Sequence, residues 1–372
     1  MEEKVLFKVH MPQSVDAPLL EVLHSGFIGQ GKKVDEFESK LADYFGNKNV
    51  LSLNSGTSGL HLALRLANVG YGDEVISTAM TCTATNMPIL AAGAKIVWAD
   101  VDPITGLIDP DDIEKKITSK TKAIMMVHFG GIPCDVDKIN SIAKKYSLKT
   151  IEDAAHAFGA EFKEEKIGNH SDFVMFSLQA IKHMTTVDGG LLLCKNREDY
   201  NRGKLLRWYG IDREQKRKDF RCEEDVIEYG YKYHMNDIAA TIGIEQLKYI
   251  DDIVEKHIDN QKFYDQKLKG IKGVGLIPKN NKLKSSSWLY TIHIDERDLF
   301  IEWMSERKVM VSRVHERNDN HTAFIESATS LPNLERFNDT QISIPVGWWI
   351  DDDDRNYIAN AIKEFSERVL LK

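Results

Sequence analysis

The sequence predicts an α/β protein with a large domain built on a mostly parallel sheet, followed by a smaller α+β domain. Between residues 49 and 195, short runs of β-forming residues alternate with helical or turn segments. Long helical patterns follow, and a break rich in glycine and proline lies at residues 270–278. Alternation of this kind favours a parallel sheet with helices on both faces.

The predicted strands of the sheet occupy residues 50–53, 74–77, 94–98, 123–127, 148–151, 173–176 and 191–194. Between the first two, residues 58–68 place Leu60, Ala63, Leu64 and Ala67 at the i, i+3, i+4 and i+7 spacing of a helix buried along one face. Ligands of such sheets bind beyond the carboxyl ends of the strands. We therefore expect the functional residues directly after these runs.

The remainder of the chain predicts two long helices within residues 236–268 and then a small mixed domain. Its predicted strands are 288–294 and 309–314, and its predicted helices are 299–308 and 353–370. We place the large domain at residues 1–255 and the small domain at 256–372. The four aspartates at 351–354 suit a helix start, because acidic side chains favour the helix amino terminus; a cation site is the alternative.

Composition indicates a globular protein whose small ligands are held by local sites. The 372 residues are 42% hydrophobic, and the net charge of −8 gives no reason to expect nucleic acid or an anionic membrane as partner. No apolar run approaches the roughly 20 residues that span a bilayer, and the first residues lack a signal-peptide pattern. The cysteines form no CxxC pair (Cys82, Cys134, Cys194 and Cys222). We expect a cytoplasmic protein without a metal.

A first candidate motif is Asn-Ser-Gly-Thr-Ser-Gly at residues 54–59, between a predicted strand and a predicted helix. Its backbone N–H groups and hydroxyls would converge at the helix amino terminus, which suits a phosphate. An ordinary capped helix start is the alternative.

A second motif, at residues 151–157, places Glu152, Asp153 and His156 at the end of an apolar strand. A carboxylate buried there needs a cationic partner. A protonated pyridine nitrogen, as in a pyridoxal ring, is one such partner. A helix amino terminus with a core histidine explains this stretch equally well.

The third motif centres on Lys182, which lies between a short apolar strand and Gly189-Gly190 and has Ser177 five residues before it. The glycines permit close backbone approach, and a desolvated lysine has a lowered pKa and can attack a carbonyl. A solvated surface lysine is the alternative. Taken together, the three motifs supply a phosphate cradle, a pyridinium partner and a Schiff-base amine, the set that a pyridoxal 5′-phosphate site needs.

With these motifs the sequence resembles the DegT/DnrJ/EryC1/StrS family of sugar aminotransferases, over essentially the whole chain. The matching stretches are 26–31, 54–64, 152–159, 177–190, 230–247 and 343–345. The resemblance implies the fold-type I architecture of aspartate aminotransferase. It also implies that Lys182 forms the Schiff base and shuttles the proton, that Asp153 pairs with the pyridine nitrogen, and that His156 lies beside the ring. Gly56, Thr57 and Ser177 become the phosphate ligands.

Three stretches depart from the family pattern. Cys82 stands where many relatives have an aromatic side chain that stacks on the cofactor. Lys232 and His234 replace an asparagine and an arginine in a loop that, in the family, reaches the partner subunit's cofactor phosphate. In residues 311–319 the family's apolar and Pro-His pattern is replaced by a charged cluster, which suits an anionic or hydroxylated substrate or is a solvated loop. The predicted substrate-binding residues are Arg313, His315, Arg317, Asn318 and, beside the lysine, His183.

The implied function is transfer of an amino group from L-glutamate to a keto-sugar in deoxyamino-sugar biosynthesis. A nucleotide-linked 3- or 4-keto-6-deoxyhexose is the leading substrate, and products of this kind enter lipopolysaccharide O-antigens, other polysaccharides and glycoconjugates. The alternatives are a keto-octulosonate substrate or a non-catalytic regulator that binds pyridoxal 5′-phosphate. The loop at 230–236 implies a homodimer with shared active sites. Family members with histidine at the catalytic position are dehydratases, and the five-residue spacing from Ser177 places Lys182 there instead.

Overall fold

The computed structural model describes residues 2–215, 219 and 225–370. Within these residues the chain forms a seven-stranded sheet, two small three-stranded sheets and flanking helices. Cys222 lies outside the described residues, and the other cysteines are free thiols.

The seven-stranded sheet confirms the predicted α/β class. Its strands are β1 (Val50–Leu53), β2 (Glu74–Thr78), β3 (Lys95–Ala99), β4 (Thr121–Val127), β5 (Lys149–Asp153), β8 (Phe173–Ser177) and β9 (Gly190–Cys194). Their order is β1-β9-β8-β5-β4-β2-β3, and β9 alone runs against both of its neighbours. Nearly every strand residue is buried, as expected for a sheet covered on both faces.

Helices cover this sheet and continue into the carboxyl-terminal region. The helices of the first part are α1 (Asp16–His24), α2 (Lys32–Phe45), α3 (Gly56–Leu66), α4 (Thr83–Ala91), α5 (Pro110–Lys116), α6 (Val136–Lys145) and α7 (Arg197–Leu206). Those of the second part are α8 (Asp237–Gln246), α9 (Ile250–Lys267), α10 (Arg297–Glu306), α11 (Pro332–Thr340) and α12 (Asp352–Phe365). Asp351 caps α12 by accepting a hydrogen bond from the Asp354 N–H, so the aspartate run is a helix start.

The small sheets tie the carboxyl-terminal region to the rest of the chain. One joins β10 (Val274–Leu276), β12 (Tyr290–Ile294) and β13 (Gln341–Ile344); the other joins β6 (Glu161–Phe162), β7 (Glu165–Lys166) and β11 (Leu283–Lys284). β11 precedes β12 in the chain, and its pairing with β6 joins this carboxyl-terminal segment to residues 161–162, which follow β5 of the large sheet. The helix α9 runs through the predicted boundary at 255/256, and that division stays a prediction.

One predicted element was wrong. Residues 309–314 do not form a strand: Val309 and Ser312 make only isolated bridges, to Lys4 and Ser343. The backbone at Val314 has φ of 66°, in the left-handed region that extended strands exclude. Among the described helices, none is long and apolar enough to cross a membrane.

Candidate active site

The sheet topology brings the three sequence motifs to one edge. Asp153 ends β5 and lies opposite Met175 of the adjacent parallel strand β8, which ends at Ser177. Ser177 in turn pairs with Gly190, the first residue of β9. Because β1 neighbours β9, the start of α3 directly after β1 reaches the same place. The carboxyl ends of β1, β5 and β8 and the amino end of β9 therefore meet at one edge of the sheet, where ligands of such folds bind.

The start of α3 packs tightly against the end of β8 and the start of β9. Ser55 caps the helix by accepting a hydrogen bond from the Ser58 N–H at 3.1 Å. A Cβ atom on Gly56 would lie 3.1 Å from the Ser177 Cβ, and one on Gly190 would lie 2.4 Å from the Ser55 carbonyl carbon. Only glycine permits these approaches. The N–H groups of the first helical turn and the Ser177 hydroxyl are donors of the kind that suit a phosphate.

Asp153 is a buried carboxylate whose two hydrogen-bond donors are both neutral groups. Its two oxygens accept hydrogen bonds from the Thr85 hydroxyl at 2.7 Å and the Ala155 N–H at 3.0 Å. Burial nevertheless raises its pKa, and these two hydrogen bonds and the positive charge of Lys182 oppose the rise. A cation bound at this carboxylate would favour its ionised form.

Lys182 lies in a turn after β8, held by its N–H bond to the Gln179 carbonyl at 2.9 Å. Burial lowers the pKa of its amine to about 8, and the negative charge of Asp153 opposes this shift. The ammonium nitrogen lies 3.8 Å from the centre of the Trp288 ring. The amine is therefore partly desolvated, close to the Asp153 carboxylate and available as a neutral nucleophile near physiological pH.

A wall of aromatic rings bounds the site beside the lysine. The His156 ring stacks on Trp288 at 3.9 Å between centroids and lies parallel to His315 at 5.6 Å. Burial holds the pKa of His156 well below its usual range, and burial with the nearby Lys182 charge lowers that of His315 to about 4. Both imidazoles are therefore neutral near pH 7. The His156 Nδ1 accepts a hydrogen bond from the Gly130 N–H at 3.3 Å.

Comparison with known proteins decides which chemistry this arrangement serves. The model of the DegT/DnrJ/EryC1/StrS aminotransferase family matches residues 11–363. The chain belongs to this family. The sugar aminotransferase CalS13 of Micromonospora echinospora has a solved structure with a TM-score of 0.94 and 36% identity, covering 97% of this chain and 99% of that one.

Two further relatives agree with this assignment. A UDP-4-amino-4,6-dideoxy-N-acetyl-beta-L-altrosamine transaminase of Campylobacter jejuni is 33% identical over 368 residues, 95% of each chain. The pyridoxal-phosphate form of a sugar aminotransferase from Streptococcus pneumoniae superposes with a TM-score of 0.91 at 27% identity, over 99% of both chains. The chain is thus a sugar aminotransferase that depends on pyridoxal 5′-phosphate.

The described residues fit this cofactor. Gly56 packs so closely against Ser177 that a side chain at position 56 would crowd the Ser177 Cβ. The α3 N–H groups and the Ser177 hydroxyl are donors that suit the phosphate. The buried Asp153 carboxylate needs a cation, which a protonated pyridine nitrogen supplies. Cys82 is only partly buried and caps no helix N–H with its side chain.

Two site residues of this aminotransferase were missed from the sequence. Thr85 donates to Asp153, and its position one helical turn after Cys82 in α4 was a signal that could have placed it at the site. Trp288 was read only as the start of a strand. No local pattern marks it, because its contacts to His156 and Lys182 join segments that are far apart in sequence.

Three of the predicted substrate-binding residues serve internal contacts instead. Asn318 is fully buried; its amide donates to the Thr81 carbonyl and accepts from the Asn86 amide. Arg317 is buried in a two-pronged ion pair with Asp319. His183 is buried too, and its Nε2–H donates to the Ser286 carbonyl at 3.0 Å. A side chain whose polar atoms are already engaged has little left for a ligand.

The other two residues of this set lie differently. His315 belongs to the ring wall, and its buried Nε2 has no hydrogen-bond partner among the described residues. Arg313 is partly exposed and pairs with Glu316 at 3.1 Å. His315 is therefore the member of the predicted set that the structure brings next to Lys182.

The loop that carries Lys232 runs beside the start of α3 in its own chain. Asn54 donates through its backbone N–H to the Tyr233 carbonyl at 2.7 Å and through its side chain to the Lys232 carbonyl at 3.1 Å. The Lys232 side chain itself is exposed. A cavity of about 1180 Å³ elsewhere lies between the segments 101–110 and 277–285, and none of the predicted site residues lines it.

The depressed pKa of Lys182 predicts a pH-dependent stability effect in the cofactor-free protein. The folded value of about 8 lies below the ordinary 10.5, so the unfolded chain binds more protons between these values and stability rises with pH across that window. Lys182→Met removes the buried charge. We expect its melting temperature to exceed the wild-type value by about 2 to 4 °C at pH 7.

Scanning calorimetry from pH 7 to pH 10.5 checks this prediction. The advantage of Lys182→Met should shrink as the pH rises above about 8, because the wild-type amine then loses its proton. Lys195→Met, at an exposed position after β9, is the control and should match the wild type throughout. A difference that stays constant with pH would contradict the depressed pKa.

Proposed function

We propose that this aminotransferase moves an amino group from L-glutamate to a nucleotide-linked 3- or 4-keto-6-deoxyhexose. The observation that carries the proposal is the environment of Lys182. Its amine is partly desolvated, its pKa is affected by the charge of Asp153, and it follows β8 at the edge of the sheet where α3 begins. Glutamate is the donor that the family resemblance implies. The product is an amino sugar for polysaccharide or glycoconjugate synthesis in the cytoplasm.

The chain's own residues divide the work. The α3 amino terminus, with Gly56 and Thr57, and the Ser177 hydroxyl would hold the phosphate, and the Asp153 carboxylate would keep the ring nitrogen protonated. When bound there, pyridoxal 5′-phosphate would supply an electron sink. With a pKa of about 8, the Lys182 amine exists in both protonation states near neutral pH. It can therefore accept a proton in one half-reaction and return it in the other.

His156 and His315 shape the substrate side of the site. Both are neutral at pH 7, and the unpartnered Nε2 of His315 offers one hydrogen bond inside a mostly apolar wall. A hydroxyl of a hexose is a suitable partner, since a neutral imidazole nitrogen either donates or accepts. The Campylobacter relative named for a UDP-linked sugar supports the nucleotide-linked substrate class.

The charged loop gives little support to a keto-octulosonate. The carboxylate of such a sugar acid needs a free cation, and both arginines of the loop are paired with acidic neighbours, Arg313 with Glu316 and Arg317 with Asp319. The hexose therefore remains our proposal. Membership in an aminotransferase family also favours turnover over a purely regulatory role.

Two half-reactions test the proposal. Incubation with L-glutamate should bleach the visible band of the bound cofactor and release 2-oxoglutarate, and L-lysine serves as the control donor. The aminated enzyme is then offered nucleotide-linked 3-keto and 4-keto-6-deoxyhexoses, with a keto-octulosonate as comparison. Return of the visible band and a product one amino group richer are expected with a nucleotide-linked sugar. Recovery with the octulosonate alone would contradict the proposal.

We also propose a homodimer in which Lys232 reaches the cofactor phosphate of the partner. Its exposed side chain on a loop beside the α3 start supports this role, because an ammonium group attracts phosphate as a point charge. Lys232→Ala is expected to weaken cofactor binding by about tenfold, the effect of one lost charge contact of roughly 1.4 kcal/mol. Fluorescence titration of the cofactor-free protein measures this change.

Mixed dimers show whether the contact crosses the subunit interface. Lys182→Ala and Lys232→Ala are refolded together, at a cofactor concentration too low for the second variant alone. If Lys232 acts across the interface, one site of each mixed dimer has both lysines and activity returns. If it serves its own chain, no site of the mixed dimer has both, and activity stays at the level of the separate variants. Elution as a monomer with full activity would contradict the dimer itself.

A further inference from the structure

The indole of Trp288 makes two contacts to the segment that carries the reactive lysine. The Lys182 ammonium nitrogen lies 3.8 Å from the ring centre. The indole Nε1–H donates to the carbonyl of Ile181, the preceding residue, at 3.0 Å. One side chain therefore contacts both the end of the lysine and the backbone from which the lysine extends.

The indole is held on its own account by neighbouring rings. It is 3% exposed, and it stacks on Phe7 with centroids 4.9 Å apart as well as on His156 at 3.9 Å. Phe7 belongs to the amino-terminal segment, which the Lys4 N–H fixes by a bond to the Lys308 carbonyl at 2.8 Å. Packing on this scale leaves the ring a single rotamer, because interiors are close-packed.

The backbone on either side of Trp288 is fixed as well. One residue on each side is bonded to the turn at residues 129–131: the Ser286 N–H, two residues before Trp288, donates to the Gly131 carbonyl, and the Leu289 N–H, directly after it, donates to the Gly130 carbonyl. Two buried imidazoles donate to the carbonyls just before it, His183 to Ser286 and His257 to Ser287, each at 3.0 Å. The Ser286 hydroxyl donates to the His156 carbonyl at 2.9 Å. This segment is built as a rigid support, and it explains the buried position of His183.

We propose that Trp288 is a positioning residue for Lys182, a platform that receives the lysine ammonium whenever the amine is not bonded to the cofactor. This inference rests on the proposed role of Lys182. In the aminated state of the enzyme the lysine is free, and its long flexible side chain would otherwise sample several rotamers. An aromatic face attracts an ammonium group, most strongly where water is excluded. The platform keeps the amine at the site for the next proton transfer.

The platform has a measurable electrostatic consequence. Burial destabilises the charged amine and lowers its pKa, whereas attraction to the indole face stabilises the same charged form. Removing the aromatic ring should therefore lower the pKa of Lys182 further. A side chain that only filled space would influence the pKa of Lys182 through burial alone. The pKa of one amine thus separates positioning from packing.

The experiment measures Lys182 in the glutamate-aminated holoenzyme, where the amine is free. Competitive labelling with acetic anhydride over a pH series, read by peptide mass spectrometry, gives its pKa. Trp288→Leu should lower this pKa by about one unit, a tenfold change in protonation. Trp288→Phe retains an aromatic face and should lower it by less than half as much. The single-turnover rate with glutamate should fall in Trp288→Leu, with little change in the glutamate concentration for half-saturation.

Trp303→Leu is the matched control. Trp303 also carries a cation, with the Arg307 guanidinium 3.3 Å from its ring, and also donates its Nε1–H to a carbonyl, that of Ala361 at 2.9 Å. It lies in the small-domain helix α10, so Lys182 should titrate as in the wild type. An unchanged Lys182 pKa in Trp288→Leu would overturn the proposal. If that variant does not fold, Trp288→Met provides the same comparison.

Borohydride reduction of the resting enzyme distinguishes this proposal from the role of Lys182 itself. Peptide mapping of the reduced protein shows which lysine carries the cofactor. If the label lies elsewhere, the assignment of Lys182 fails while its pKa shift in Trp288→Leu remains measurable. If Lys182 carries the cofactor and its pKa is the same in Trp288→Leu as in the wild type, only the proposed role of Trp288 is wrong.

Discussion

Lys182→Ala is expected to abolish transamination, with turnover falling by about 10⁴-fold or more. Under the proposed roles, the substitution removes both the amine that bonds to the cofactor and the group that carries the proton. Alanine also empties the space over Trp288, where the ammonium lies 3.8 Å from the ring. Single-turnover absorbance with L-glutamate measures the loss, and borohydride reduction should no longer fix the cofactor to the protein.

Two further variants define what is lost. Lys182→Arg keeps a positive charge but cannot give up a proton near neutral pH, so it should be as inactive as the alanine variant. Lys195→Ala removes an exposed lysine outside the site and should retain full activity. Added methylamine should restore part of the proton transfer in Lys182→Ala only. Full turnover by Lys182→Ala without an added amine would refute the assignment.

Asp153→Asn is expected to reduce turnover by about 10³-fold, the scale on which loss of one preorganised electrostatic partner acts. Asparagine has nearly the same volume and can still accept the Thr85 hydroxyl at the 2.7 Å position. It lacks the negative charge that we propose keeps the ring nitrogen protonated, so the electron sink should be weaker. The turnover number and the cofactor content are measured together, because the variant should still bind the cofactor.

Asp172→Asn provides the comparison for a partly buried aspartate with a structural role. Asp172 lies at the opposite end of the same strands, where it accepts from the Thr150 N–H at 3.0 Å and pairs with Lys149 at 2.9 Å. Its replacement should lower the melting temperature and leave the turnover number close to that of the wild type. Equal activity losses in the two variants would show that Asp153 acts through stability, against our expectation.

The seven strands of the main sheet were predicted from sequence because each is a short apolar run buried on both faces. Such runs need no knowledge of their neighbours to be recognised. The segment 309–314 has similar composition but forms only isolated bridges. Its pairing depended on the position of β13 and the amino-terminal segment, and neither is visible in the run itself.

The charged loop shows a second limit of the sequence. Arg313, Arg317 and Asn318 are all polar and close together, which suited a ligand. The structure pairs Arg317 with Asp319 and buries Asn318 against Asn86. Whether a polar group is free for a ligand depends on the partners that folding brings to it, and these come from distant segments.

The sequence by itself determined the chemistry of this aminotransferase. Gly56, Asp153, Ser177 and Lys182 each belong to a short motif at or just after the carboxyl end of a strand, and such ends of neighbouring parallel strands meet at one edge of the sheet. Only the tertiary structure decided what surrounds the lysine. The Trp288 platform, the parallel rings of His156 and His315 and the internal engagement of Asn318 arise where segments distant in sequence pack together. Packing of this kind depends on shape and burial across the whole molecule, so the spacing of residues within one sequence motif does not predict it.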